Sequence, residues 1–188
     1  MKQLIFLLLI ITFGIATQAQ QYASSKKNTT QTEFILPIPD YGKVFHVPFA
    51  KDRPDPSTQY KIIFEASVEP FDSSMVYPPL EHLARMYNLH VYGGVPQKNL
   101  DVVLAIGSYA IPVTMQNEAY RKRYGIDNPN IKILEQLKAA GIKLNGCAQS
   151  TLKYGIDPND VNPDFTIIFS RFTTVSSYQL KGYAYFKF

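Results

Sequence analysis

Only one cysteine, Cys147, occurs in the 188 residues, and tryptophan is absent. One cysteine cannot close an internal disulfide, so its thiol is buried, joined to another chain, bound to a ligand or reactive. Charge is sparse as well: 18% of residues are charged and the formal net charge is +4. No basic stripe with interleaved aromatics is present, which argues against nucleic acid as a partner. Several enzyme signatures are missing. There is no G-x-S-x-G, so Ser108 is a poor nucleophile, and the Gly107-Ser108 loop lacks the length and glycine spacing that cradle phosphate. His82 and His90 stand about two helical turns apart, roughly 12 Å, too far to share one metal. They read as ordinary helix histidines, the alternative being that one of them meets Cys147 from above the sheet. No metal or cofactor is expected, and no internal repeat is visible.

Long apolar runs are confined to the start. Lys2, the apolar stretch 4–15 and the small-residue site Thr17-Gln18-Ala19 form the pattern of a secretory signal peptide over residues 1–19. The stretch is short for a membrane span. The mature chain is therefore expected to begin near Gln20, to lack a membrane span and to be periplasmic or secreted. Residues 20–57 divide into a polar linker and a proline-rich arm. Pro37, Pro39, Pro48, Pro54 and Pro56 stand there among Phe34, Ile35, Phe45, Val47 and Phe49. Proline breaks helix and ladder alike, and the apolar residues imply that the arm lies on its own domain or on a neighbouring subunit.

Residues 58–188 read as one domain. Strand patterns cover 60–67, 100–106, 142–146, 165–169 and 183–188, those at 100–106 and 165–169 apolar enough to be buried and the last alternating aromatic with small or charged residues. Helical spacing covers 80–92, 117–124, 129–140, 148–154 and 171–180. Asn117 and Asn128-Pro129 are the expected starts of the second and third helices. Strands alternating with helices give an α/β fold, a flavodoxin-like three-layer α/β/α sandwich on a mostly parallel five-stranded sheet. The first helix carries a second apolar strip, Met86 and Leu89, beside its core face; such a helix is deeply buried or meets a partner.

The stretch G-I-K-L-N-G-C-A-Q-S-T-L-K-Y-G, residues 141–155, places Cys147 where a strand ends and a helix begins. In an open α/β sheet that is the edge where ligands bind. A helix N-terminus there favours the thiolate. The Gly107-Ser108 loop, at the end of another parallel strand, should open on the same side. The alternative is a cysteine used as a small buried hydrophobe.

Four blocks of this domain resemble the DsrE/DsrF-like (YchN-like) sulfur-relay family. They are L-E-H-L-A-R-M-Y-N-L-H (80–90), N-E-A-Y-R-K-R-Y-G-I-D-N-P-N (117–130), G-I-K-L-N-G-C-A-Q-S (141–150) and G-I-D-P-N-D-V-N-P-D (155–164). The resemblance implies a persulfide on Cys147, with Gln149 and Ser150 matching the local motif. Gly107, Ser108, Gly146, Ala148, Gln149 and Ser150 are the expected binding residues, the amides of Ala148 and Gln149 steadying the sulfur. It also implies a homo-oligomer, trimer or hexamer, and a sulfur donor or acceptor protein as partner. The contrasting expectation is an oligomeric binding module that keeps the fold without sulfur transfer.

Overall fold

The computed structural model describes residues 35–68 and 71–188. The expected signal peptide, the polar linker and the first residues of the arm lie outside the described residues. Residues 35–45 and 50–188 form one compact unit. Five strands, β1 (Tyr60–Ala66), β2 (Leu100–Ile106), β3 (Lys143–Cys147), β4 (Thr166–Ile168) and β5 (Ala184–Lys187), pair in the order β4-β3-β2-β1-β5. Every pairing is parallel. The sandwich expected from the sequence is thus present, with a wholly parallel sheet.

The two central strands explain their own sequences. In β1, Ile62, Phe64 and Ala66 face one side and Ile63 the other; in β2, Val102, Leu104 and Ile106 oppose Val103 and Ala105. A strand covered on both faces has no solvent side to alternate with, hence the continuous apolar run. The two faces are unequal. The larger core lies under α1 (Pro78–Tyr92), α2 (Asn117–Tyr124) and α3 (Ile131–Ala139). Each fully buried Leu, Ile or Phe there, such as Leu80, Leu83, Ile133 and Leu104, contributes about 1.5–3 kcal/mol of apolar burial. The opposite face is covered by α5 (Arg171–Leu180), whose Val175 meets Ile63, Val103 and Ala105.

The proline-rich arm lies on its own domain over residues 35–45. Ile38 is fully buried, and Asn88 of α1 holds it from both sides: Oδ1 accepts from Ile38 N–H, and Nδ2 donates to the carbonyls of Ile38, Tyr41 and Gly42. At Gly42 a Cβ would fall 2.3 Å from the Arg85 backbone nitrogen, so only glycine lets the arm cross the helix this closely.

Two helix starts differ from expectation. The cap before α2 is Gln116, and Asn117 is the first helical residue. Its side chain instead accepts from the backbone N–H of Asn128. The α3 helix begins at Ile131 after Asn130, because the buried Asn128 amide is committed to the carbonyls of Val113 and Met115. The Gly107-Ser108 loop continues as a 3-10 turn, Ser108–Thr114, that buries Ala110, Ile111 and Val113. Pro112 inside it rules out a regular helix.

Strand order fixes where the sheet can hold a ligand. From β1 to β4 each strand adds on one side of the last, and the connections run over the larger core. From β4 the chain crosses back to β5 with α5 on the other face. Connections leaving β3 and β4 therefore part to opposite faces. This opens a crevice at their carboxyl ends, the topological switch point of an open α/β sheet.

Candidate functional site

Cys147 stands in that crevice. It is the last residue of β3, paired with Ile168 of β4, and it caps the short helix α4 (Ala148–Lys153). Thr151 Oγ1 donates to the Cys147 carbonyl at 3.0 Å, fixing the turn. On the neighbouring strand Gly107 lies directly behind the thiol. A Cβ at Gly107 would meet Cys147 Cβ and Ser150 Oγ at 3.2 Å and Arg171 Cδ at 3.3 Å. Its extended backbone suits any residue, so glycine is needed there for space. Ser108 has φ 55°, a left-handed conformation that costs a non-glycine residue about 1 kcal/mol or more. That turn aims its N–H at Ser150 Oγ, 2.8 Å away.

The thiol is 3% exposed. Burial pushes its pKa up, but hydrogen bonds outweigh burial and hold it below the ordinary cysteine value. They come from the Ser150 hydroxyl and from the backbone N–H groups of Arg171, Ser150 and Gln149. The Arg171 N–H reaches Sγ at 3.3 Å. Ser150 Oγ accepts from the Ser108 amide, which leaves its own hydroxyl proton available to the sulfur beside it. Such an environment favours the nucleophilic thiolate. The Ala148 amide is not among these donors; the N-terminus of α5 supplies one in its place.

Beside the cysteine, Arg171 leads from β4 into α5. Ser170 caps that helix by accepting from Phe172 N–H at 3.2 Å. The Arg171 stem runs past Gly107 and its guanidinium lies over the Phe172 ring, 4.6 Å from the centroid. Arg171 Nε is 3.3 Å from Oε1 of the buried Glu65. Burial raises the Glu65 pKa, yet hydrogen bonds from Ser67 and Tyr185 and the charges of Arg171 and Lys187 prevail, keeping it lowered and ionised. A cleft of about 370 Å³ opens in front, within the range of small-molecule pockets.

Of the residues singled out from sequence, Cys147, Ser108, Gln149 and Ser150 line this cleft together. Gly107 backs it. Gly146 faces the other side, toward Thr114 and Phe165, and neither it nor Ala148 lines the cleft. Lys153, Ser170, Arg171 and Phe172 also line it and were missed. The available signal was the strand-to-helix junction at Ser170-Arg171, which in a parallel sheet must lie on the same edge as Cys147. His82 packs against Phe188, and His90 Nδ1 is 2.8 Å from the Met86 carbonyl, both away from the thiol. Among the described residues no three His, Cys, Asp or Glu side chains converge as metal ligands would.

Residues 94–188, half of the chain, match the DsrE/DsrF-like family. The chain belongs to that family. The matched span of this DsrE/DsrF-like chain runs from β2 through β5, so Gly107, Cys147, Ser150 and Arg171 all fall inside it. The fold is also similar to the solved structure of a protein of unknown function, MTH1491 from Methanobacterium thermoautotrophicum. The TM-score is 0.50 and the identity 16%, over 68% of this chain and 98% of that one. No curated protein matches the DsrE/DsrF-like chain.

Proposed function

We propose that this DsrE/DsrF-like protein carries sulfane sulfur on Cys147, as an exported homo-oligomer. The observation that supports the reading is a thiol at a strand-to-helix junction with the Arg171 N–H 3.3 Å from Sγ and the Ser150 hydroxyl and the Gln149 and Ser150 N–H groups beside it. In the proposed step the Cys147 thiolate attacks the terminal sulfur of a donor persulfide. A new S–S bond forms at Sγ, the donor's S–S bond breaks, and the donor leaves as a thiolate. Charge is conserved, since one thiolate and one persulfide anion yield one of each. The same N–H and O–H donors can hold the persulfide anion. Transfer to an acceptor thiol is the same exchange reversed.

Export rests on the charged start, apolar run and small-residue site of residues 1–19. Assembly into a trimer or hexamer rests on the family resemblance and on apolar surface left bare on one protomer: Leu89 on α1, and Phe186 and Phe188 at the β5 edge, are each more than one-third exposed. The near-complete burial of Cys147 favours a second reading, a binding module in which the cysteine only lines the cleft. One experiment separates the two. The purified chain is incubated with a low-molecular-weight persulfide and weighed by mass spectrometry before and after reductant. Gain of one sulfur atom, lost on reduction and absent in Cys147→Ser, is the expected result. An unmodified thiol under these conditions refutes the carrier and leaves the binding module.

A further inference from the structure

Arg171 is a charged residue with only 9% of its surface exposed, and its pairing is incomplete. Nε lies 3.3 Å from Glu65 Oε1 without hydrogen-bond alignment, and Nη1 is buried with no hydrogen-bond partner among the described residues. Glu65 has little left to offer. Its Oε1 accepts from Ser67 at 2.6 Å and is 3.7 Å from Lys187 Nζ, and its Oε2 accepts from Tyr185 at 2.6 Å. A guanidinium carries five N–H donors in a fixed fork. Buried polar groups without partners are rare, and one beside a cleft calls for a partner such as a water or an ion. Among the described residues, the charged side chains lining the cleft are Arg171 and Lys153, and no acidic one lines it. Arg171, Lys187 and Lys153 set against Glu65 and a thiolate leave a positive surplus among the described residues.

We infer that the Cys147 cleft selects a ligand bearing an oxyanion (carboxylate, sulfonate or phosphate), which Arg171 binds and Lys153 attracts. This deepens the sulfur-carrier reading and rests on Cys147 being the reacting group of the cleft. The receptor is built in advance. The guanidinium carbon stands 4.6 Å from the Phe172 ring centroid, the Glu65 carboxylate lies 3.3 Å from Nε, and the bare Gly107 backbone gives the stem room. A planar fork fixed in this way suits the two oxygens of an oxyanion. The same Arg171 gives its backbone N–H to Sγ, so one residue sets both the thiolate and the anion beside it.

The test is the charge selectivity of Cys147 toward two thiol reagents of matched size, sulfonatoethyl and trimethylammonioethyl methanethiosulfonate. Each rate is divided by that reagent's rate with 2-mercaptoethanol. The full chain should favour the anionic reagent by about tenfold, the lower end of the effect of one hydrogen bond to a charged group. Arg171→Gln should bring the ratio near unity, Arg171→Lys should restore part of it, and Lys153→Gln should lower it about twofold. Inorganic sulfate at constant ionic strength should slow the reaction if the free ion suffices. Preference for the anionic reagent without sulfate protection assigns the oxyanion to a larger molecule. A normalised ratio at or below one in the unaltered chain overturns the inference, as does an unchanged ratio in folded Arg171→Gln. Should Arg171→Gln not fold, an unchanged ratio in Lys153→Gln together with no sulfate protection overturns it. A chain that prefers the anion yet never gains sulfur refutes sulfur carriage alone. One that gains sulfur without charge preference refutes the oxyanion alone.

Discussion

Replacing Ser150 with alanine tests how the thiolate is held. The hydroxyl is the largest of the hydrogen-bond contributions that offset the cost of burying Cys147, and a hydrogen bond to a charged group contributes about 1.5–3 kcal/mol. Ser150 is half-buried, so the lower end applies, about a tenfold loss in the thiolate-to-thiol ratio. A more basic thiolate is intrinsically a better nucleophile, by about threefold over the same interval. The net expectation is therefore a fall of about threefold in alkylation rate at pH below both pKa values, and a rate above the unaltered protein's at high pH where both are ionised. The pH–rate curves with neutral iodoacetamide should cross. The variant also leaves the Ser108 N–H without its acceptor, which costs about 1–3 kcal/mol of stability where water cannot replace it. Circular dichroism and the melting temperature follow that loss separately. Curves that superimpose, in a variant that folds, would show that Ser150 does not hold the thiolate.

Gly107→Ala should crowd Cys147, Ser150 and Arg171 at 3.2–3.3 Å; overpacking of this kind costs about 1–3 kcal/mol, and alkylation of Cys147 should slow while the extended backbone stays permissible. For Glu65, a folded-state pKa below its ordinary value means stability that is complete above about pH 4.3 and lost as pH falls through the folded value; urea titrations from pH 7 to 3 should show this loss, and Glu65→Gln should flatten it. At pH 7 that variant leaves Arg171 buried without its counter-ion and should be less stable by about 3 kcal/mol. Asn88→Ala removes four bonds to the arm and should release it, read as faster amide exchange at Ile38 with the sheet still protected.

The elements of this domain were legible because their causes are local. Apolar runs in residues 60–67 and 100–106 announce strands buried on both faces, and helical spacing from Leu80 to Val91 announces α1. The position of Cys147 between an apolar strand and a short helix is local too, since chain continuity alone puts it at a strand end. The cap of α2 and the start of α3 were not legible, because Asn117 and Asn128 bond to each other and to the Ser108–Thr114 turn, contacts that form only in the folded chain. By itself, then, the sequence determined a parallel α/β sheet and one cysteine at its carboxyl edge. Tertiary structure alone decided which other groups meet that cysteine. Strand order sets β4 beside β3 and returns β5 to β1. This brings Arg171, 24 positions on, to the thiol and sets Tyr185, 120 positions from Glu65, on the carboxylate that holds Arg171. No periodic pattern encodes those meetings, because each depends on which edge of the sheet a returning strand joins, a choice made by packing across the whole domain.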